Sequence, residues 1–159
     1  MSASQEKGFE PATGDGPEIP EGDEVRAAEV RTAFEGMLQI RRLTRADLAD
    51  PGGVPAPWEL NRPLRAVALA LEAAGVPPSA VGTSGERTAS GYRVCDGEAP
   101  GSVRVEWAGP PGSGATHDEE EALARCVTVL RRMGWTALMY RGPRRRRFLE
   151  VEAPPSVPS

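Results

Sequence analysis

The densest chemistry-bearing cluster in this chain is a run of arginines: Arg141, Arg144, Arg145, Arg146 and Arg147, set around Gly142-Pro143. A guanidinium is a planar fork of donors, and several at a hairpin tip engage phosphate oxygens in bidentate pairs. From Arg125 to Arg147 there are eight arginines and no acidic residue. Tyr140 and Phe148 flank the cluster and add stacking surface where they lie on an open sheet face. These five arginines are the candidate anion- or partner-binding residues. The competing reading is a solvated turn whose charges keep a strand edge from pairing. Arginine is also the default cation here, because Lys7 is the sole lysine against 18 arginines. With abundant Ala, Gly and Pro, that is the coding bias of a GC-rich, actinobacterial-type genome, and it lowers the meaning of any one arginine.

A second cluster is Gly109-Pro110-Pro111-Gly112-Ser113-Gly114-Ala115-Thr116. Its glycine spacing resembles the phosphate-binding P-loop. It departs from that motif at Ala115, where the lysine that meets the β- and γ-phosphates belongs. Asp118, Glu119, Glu120 and Glu121 follow at once and repel a triphosphate. The expectation is therefore a Gly/Pro linker running into a helix, with no nucleotide and no other cofactor. His117, the single histidine, falls in the same first turn, where exposure and capping explain it. No second histidine stands ready for a metal, and there is no HExxH motif and no Ser–His–Asp order. Cys95 and Cys126 form neither a CxxC pair nor a disulfide framework. No catalytic, cofactor-binding or metal-binding residue is assigned.

The element that must position both clusters is a helix over Thr116 to Gly134. Leu123, Cys126, Val127, Leu130 and Met133 recur at the spacing that lines one helical face with apolar groups. Thr116 as N-cap with Glu119 three residues on predicts a capping box, and Gly134 a left-handed stop. Cys126 on the apolar face reads as a buried thiol. Before this helix, Gly91 to Cys95 and Ser102 to Trp107 read as strands. In the second, Val103, Val105 and Trp107 face inward while Arg104 and Glu106 face out. After it, Trp135 to Arg141 and Arg147 to Glu152 read as another pair. An earlier helix starts at Asn61 or Arg62, buries Leu64, Val67, Ala68 and Leu71, and ends at Gly75. Two αββ units, each with one apolar sheet face and one apolar helix stripe, close a core when they pair.

The predicted fold is thus α+β: an αββαββ core over 62–153 with a four-stranded, mainly antiparallel sheet packed by two helices. An N-terminal helical segment spans 23–50, with Val30, Ala33, Phe34, Met37 and Leu38 as its stripe, and a Pro/Gly linker spans 51–61. In that segment the first helix is expected to end near Arg42, with Thr44 capping a second short one. Residues 38–54 resemble the opening of a repressor-type helix-turn-helix, in which a segment like Leu43-Thr44-Arg45-Ala46-Asp47-Leu48-Ala49 precedes the recognition helix. The stretch that follows holds three prolines, Pro55, Pro57 and Pro63. A proline inside a helix costs ~3 kcal/mol or more, so no unbroken recognition helix is expected.

Residues 1–22 are acidic and Gly/Pro-rich and are expected to be a disordered tail, as are 154–159. The start has no basic and apolar pattern of a signal peptide, no apolar run reaches bilayer length, and a cytoplasmic location is expected. A net charge of -4 gives no general pull toward nucleic acid or anionic membrane. Taken together, these readings lead to a small non-enzymatic binding or regulatory module that engages an unknown protein partner or self-associates. The alternative is a nucleic-acid-binding protein that uses the arginine hairpin at 141–148.

Overall fold

The computed structural model describes residues 9–155. Four helices, α1 (Glu24–Thr44), α2 (Pro57–Asn61), α3 (Pro63–Ala73) and α4 (Ala115–Arg132), accompany six strands. The strands are β1 (Ala80–Val81), β2 (Arg87–Ala89), β3 (Gly91–Asp96), β4 (Val103–Ala108), β5 (Thr136–Arg141) and β6 (Arg147–Glu152). β3 to β6 make a fully antiparallel sheet in the order β3-β4-β6-β5, and β1 pairs β2 as a small separate ladder. That ladder lies between α3 and β3.

Each hairpin contributes its second strand to the middle of the sheet. Tyr92 stands opposite Trp107 in the first hairpin and Ala137 opposite Val151 in the second. Val103 meets Val151 where the two hairpins join. Successive strand residues face opposite ways, so Tyr92, Val94, Val103, Val105, Leu149 and Val151 line one face and are buried. α3 and α4 cover that face, with Val67, Leu71, Leu123, Cys126 and Leu130 filling the same core. The inward set expected of β4 is the set found; on α4, Leu123, Cys126 and Leu130 are buried as expected, Val127 and Met133 pack against them half-buried, and Glu119 is buried as well. The αββαββ arrangement is the architecture of the core.

α3 is buried almost all round because α1 covers its far side. Val30 and Met37 of α1 pack with Leu69 of α3, and Phe9, Phe34 and Trp58 lean on this second cluster. Asp23 caps α1 by accepting from the Arg26 amide at 3.0 Å. α1 continues to Thr44, past the expected end near Arg42. Thr44 caps no second helix; its hydroxyl donates to the Ile40 carbonyl inside α1 (2.7 Å), and a turn follows. Two of the three prolines that follow the N-terminal helical segment open helices instead of only breaking them. Pro57 begins α2 and Pro63 begins α3, the helix position where a missing N–H costs nothing.

The N-terminal stretch differs from expectation. Residues 1–8 and 156–159 lie outside the described residues, but 9–22 are tied to the body. The Val94 amide donates to the Thr13 carbonyl and the Val81 amide to the Gly16 carbonyl, both at 2.8 Å. The Ala12 amide donates to Glu72 at 2.8 Å, and the Tyr92 hydroxyl donates to the Ala12 carbonyl at the same distance. Asp15 bridges Arg87 and Arg93. Low hydrophobicity suggested disorder, yet backbone pairing along β3 and recruited arginines order the segment. Gly14 is required there: its φ is +97°, and a Cβ would meet the Tyr92 carbonyl oxygen.

Candidate functional site: the uncovered sheet face and the arginine hairpin

Helices cover one side of the sheet only. On the other side the alternation places Arg93 and Cys95 of β3, Arg104 and Glu106 of β4, Phe148 and Glu150 of β6, and Leu138 and Tyr140 of β5. Leu138 and Tyr140 are each 46% exposed. Tyr140 stacks on Phe148 across the β5–β6 pair, with ring centroids 5.9 Å apart. The Arg104 guanidinium covers the Phe148 ring at 4.0 Å and reaches Glu150 at 3.3 Å. Arg93 meets Glu106 at 3.0 Å. Tyr140 and Phe148 thus lie on the open face, as a stacking role requires.

The two sheet borders are unlike. β3 is bordered by the Thr13 contact and by the Ser79 amide donating to the Tyr92 carbonyl at 2.9 Å. β5 has β6 as its single strand neighbour. Arg131 of α4 donates to the Ala137 carbonyl at 2.9 Å, and beyond it the β5 border is free of charge up to Arg141.

The five candidate arginines divide into two groups. Arg146 and Arg147 are anchored to α4. Arg146 Nε donates to Glu119 Oε2 at 2.6 Å and Nη2 donates to the Trp107 carbonyl at 2.8 Å. The Arg147 amide donates to Glu119 Oε1 at 2.7 Å, and its guanidinium lies 3.5 Å from Glu120. Arg141, Arg144 and Arg145 are exposed and carry no ion pair among the described residues. Arg144 and Arg145 take φ of +60° and +62°, the left-handed region that β-carbons disfavour. The turn therefore holds these two side chains outward on a constrained backbone. A cavity of about 270 Å³ reaches the base of the turn at Gly142 and Pro143, and its wall includes Arg93, Arg104, Arg146 and Arg147 together with Glu106 and Phe148.

This geometry corrects the expected helix start. α4 begins at Ala115, and its N-cap is Gly114 in the left-handed conformation at φ +85°, with no side-chain cap. Glu119 is buried at 1% exposure and turned to the arginine hairpin, so Thr116 and Glu119 form no capping box. A cavity of about 690 Å³ lies over the glycine loop, with Ala115, His117 and Arg146 in its wall. His117 is exposed. Cys126 is buried, and burial pushes its thiol up to about 12; burial also raises Cys95. Among the described residues no group of His, Cys, Asp and Glu is arranged to hold a metal. No helix among them is long and apolar enough to cross a membrane.

Comparison with protein-family models, with curated proteins and with solved structures yields no match for this chain.

Proposed function

We propose that the protein is a non-enzymatic, cytoplasmic binding or regulatory module that takes up an extended segment of a protein partner along β5 and the uncovered sheet face. The observation that carries this reading is the contrast between the two borders of the sheet. A strand border presents unpaired N–H and C=O groups, and proteins ordinarily blunt it with charge, proline or a covering segment. β3 has such a cover in Thr13 and in Pro77 to Ser79. From Thr136 to Tyr140, β5 itself has neither charge nor proline, Arg131 of α4 meets it only at the Ala137 carbonyl, and Leu138 and Tyr140 are shown to solvent. An added strand gains main-chain hydrogen bonds from the border and specificity from those two side chains.

The test is capture from a lysate of the native host, with and without nuclease, comparing the native chain with Leu138→Lys/Tyr140→Lys. Both positions are half exposed, so the fold survives the change. A nuclease-resistant protein retained by the native chain and lost by the variant supports the reading. Retention indifferent to the variant, or turnover of a substrate in unbiased activity profiling, overturns it.

A second reading has its own observation. Arg141, Arg144 and Arg145 are exposed, without carboxylate partners among the described residues, and adjacent to the Tyr140–Phe148 stack. Nucleic-acid binding through them predicts a log–log salt slope near 2 in magnitude for single strands, from about 0.7 per phosphate neutralised. Changing all three to Ser abolishes that binding if the reading is right. No binding at low salt rejects it.

A further inference from the structure

The turn that joins β5 to β6 is built against its own backbone. The Arg146 amide donates to the Pro143 carbonyl at 3.2 Å, so Arg144 and Arg145 are its two central residues. Both have positive φ, as in a type I′ turn. Asn-Gly makes such a turn at least cost, because each central residue must enter the left-handed region. Among the described residues every other positive φ, eight in all, belongs to a glycine. Glycine and arginine each occur 18 times in the chain, so coding bias does not explain the exception. Backbone strain that is kept in place points to a task for the side chains it carries. Nothing within the chain supplies one here. The guanidinium groups of Arg144 and Arg145 are exposed and carry no ion pair or hydrogen bond among the described residues, and the same holds for Arg141.

The place of the three arginines says what they meet. Arg141 ends β5, the strand with the open border. A segment laid along that border passes Arg141 and, continued by about two or three residues at ~3.3 Å each, comes level with the turn. The acids nearest the hairpin, Glu119 and Glu120, are held by Arg146 and Arg147 and leave the turn uncompensated. At the start of β5 the charge is mixed instead, with Arg131 on the Ala137 carbonyl and exposed Glu152 opposite Thr136. A nucleic acid fits this layout less well than a polypeptide does. It leaves the main-chain groups of the border unused. Its continuous phosphates also meet the exposed Asp118, Glu120 and Glu121 at the start of α4, which the 3.5 Å approach of Glu120 to Arg147 places beside the hairpin.

We infer that the segment taken up along β5 is acidic at the end beside the turn, with carboxylates that pair with the guanidinium groups of Arg141, Arg144 and Arg145. The inference rests on the reading that β5 accepts a strand, and it names the chemistry of that strand.

Short random peptides selected by phage display against the native chain, then measured by fluorescence anisotropy, test both. The selected peptides are expected to join alternating apolar residues to neighbouring Asp or Glu at one end, and Leu138→Lys/Tyr140→Lys is expected to abolish their binding. Arg144→Asn/Arg145→Gly relieves the turn, so its urea midpoint is expected above the native one. The same variant is expected to bind the peptides about 5-fold more weakly at modest ionic strength, where exposed pairs still count. With the peptide acids exchanged for Asn or Gln, native chain and turn variant are expected to bind alike. Peptides that need β5 but carry no acids, or that bind the turn variant as tightly as the native chain, overturn the inference and leave the strand reading standing. A lower urea midpoint in the turn variant assigns the two arginines to the fold and overturns it too. Failure to select any peptide, or binding indifferent to Leu138→Lys/Tyr140→Lys, overturns the strand reading and the inference together. A single-stranded oligonucleotide that binds more tightly than every selected peptide, and is lost in the turn variant, gives the turn to nucleic acid and overturns the inference.

Discussion

Arg41 and Glu59 are both fully buried, an uncommon place for two charges. They meet as a fork, at 2.8 and 2.7 Å, and Arg41 also donates to the Gly52 carbonyl at 3.0 Å. Glu59 in turn accepts from the Ala56 amide at 3.0 Å, so the pair fastens the end of α1 to the start of α2. Deleting one partner strands the other charge away from water, at about 3–5 kcal/mol. Glu59→Ala is expected to lose that much in urea unfolding followed by tryptophan fluorescence. Arg41→Met with Glu59→Leu strands nothing and is expected to lose distinctly less; equal losses would refute the argument. Cys126 gives a prediction in pH. Its folded thiol is raised to about 12 and the Tyr92 phenol is raised too, each chiefly by burial. A raised folded value favours the protonated form, so the contribution is complete below the unfolded thiol's value of about 8.5 and is lost as pH climbs above it. The urea midpoint is expected to fall above about pH 8.5. At pH 8 a thiol reagent should reach Cys126 only after unfolding.

Among elements, the joint between α4 and the β5–β6 hairpin rests on Glu119. Its two oxygens take the Arg146 guanidinium and the Arg147 amide. Glu119→Ala leaves both donors without this acceptor and is expected to lower stability by about 1–3 kcal/mol. Arg141, Arg144 and Arg145 changed together to Ser should leave the unfolding midpoint within about 0.5 kcal/mol of native. A comparable loss in the triple variant would mean that the division of the cluster is wrong. This joint also shows what the sequence made legible. β4 alternates cleanly because one face meets a core and the other does not, so Val103, Val105 and Trp107 were readable from type and spacing alone. α4 was readable for the same reason at a different period. The role of Glu119 was not, because Thr116 offers it a local cap while its real partners stand 27 and 28 positions on. The arginine run likewise looked uniform, since no acid lies between Arg125 and Arg147; the acids come from α4. Residues 12–16 escaped notice because backbone pairing leaves no mark in side-chain type.

For the molecule as a whole, the question is which surfaces can extend it. An edge-to-edge contact propagates if both borders of a sheet are open, and closes if one is sealed. Here two segments seal β3: Thr13 and Asp15, with the Thr13 carbonyl on the Val94 amide and Asp15 on Arg87 and Arg93, and Pro77 to Ser79, paired with Tyr92. The uncharged stretch of β5 is then safe, because a second sheet that docks on it finds no further border to continue from. The main task of the N-terminal segment on this view is negative, and its stabilising contacts are secondary. A chain beginning at Pro17 removes the Thr13 and Asp15 part of the seal and also takes away the nearer acceptor of the Tyr92 hydroxyl, the Ala12 carbonyl at 2.8 Å, leaving it the Ala68 carbonyl at 3.4 Å. It is expected to be less stable by about 0.5–1.5 kcal/mol for that lost hydrogen bond. It is also expected to form assemblies larger than the native species, growing with concentration, in light scattering. Leu138→Lys/Tyr140→Lys in the shortened chain should reverse the growth by charging the other border without restoring stability. If the shortened chain is destabilised yet shows no growth, or if growth persists with β5 charged, the segment is a structural strap and does not act as a guard on the sheet.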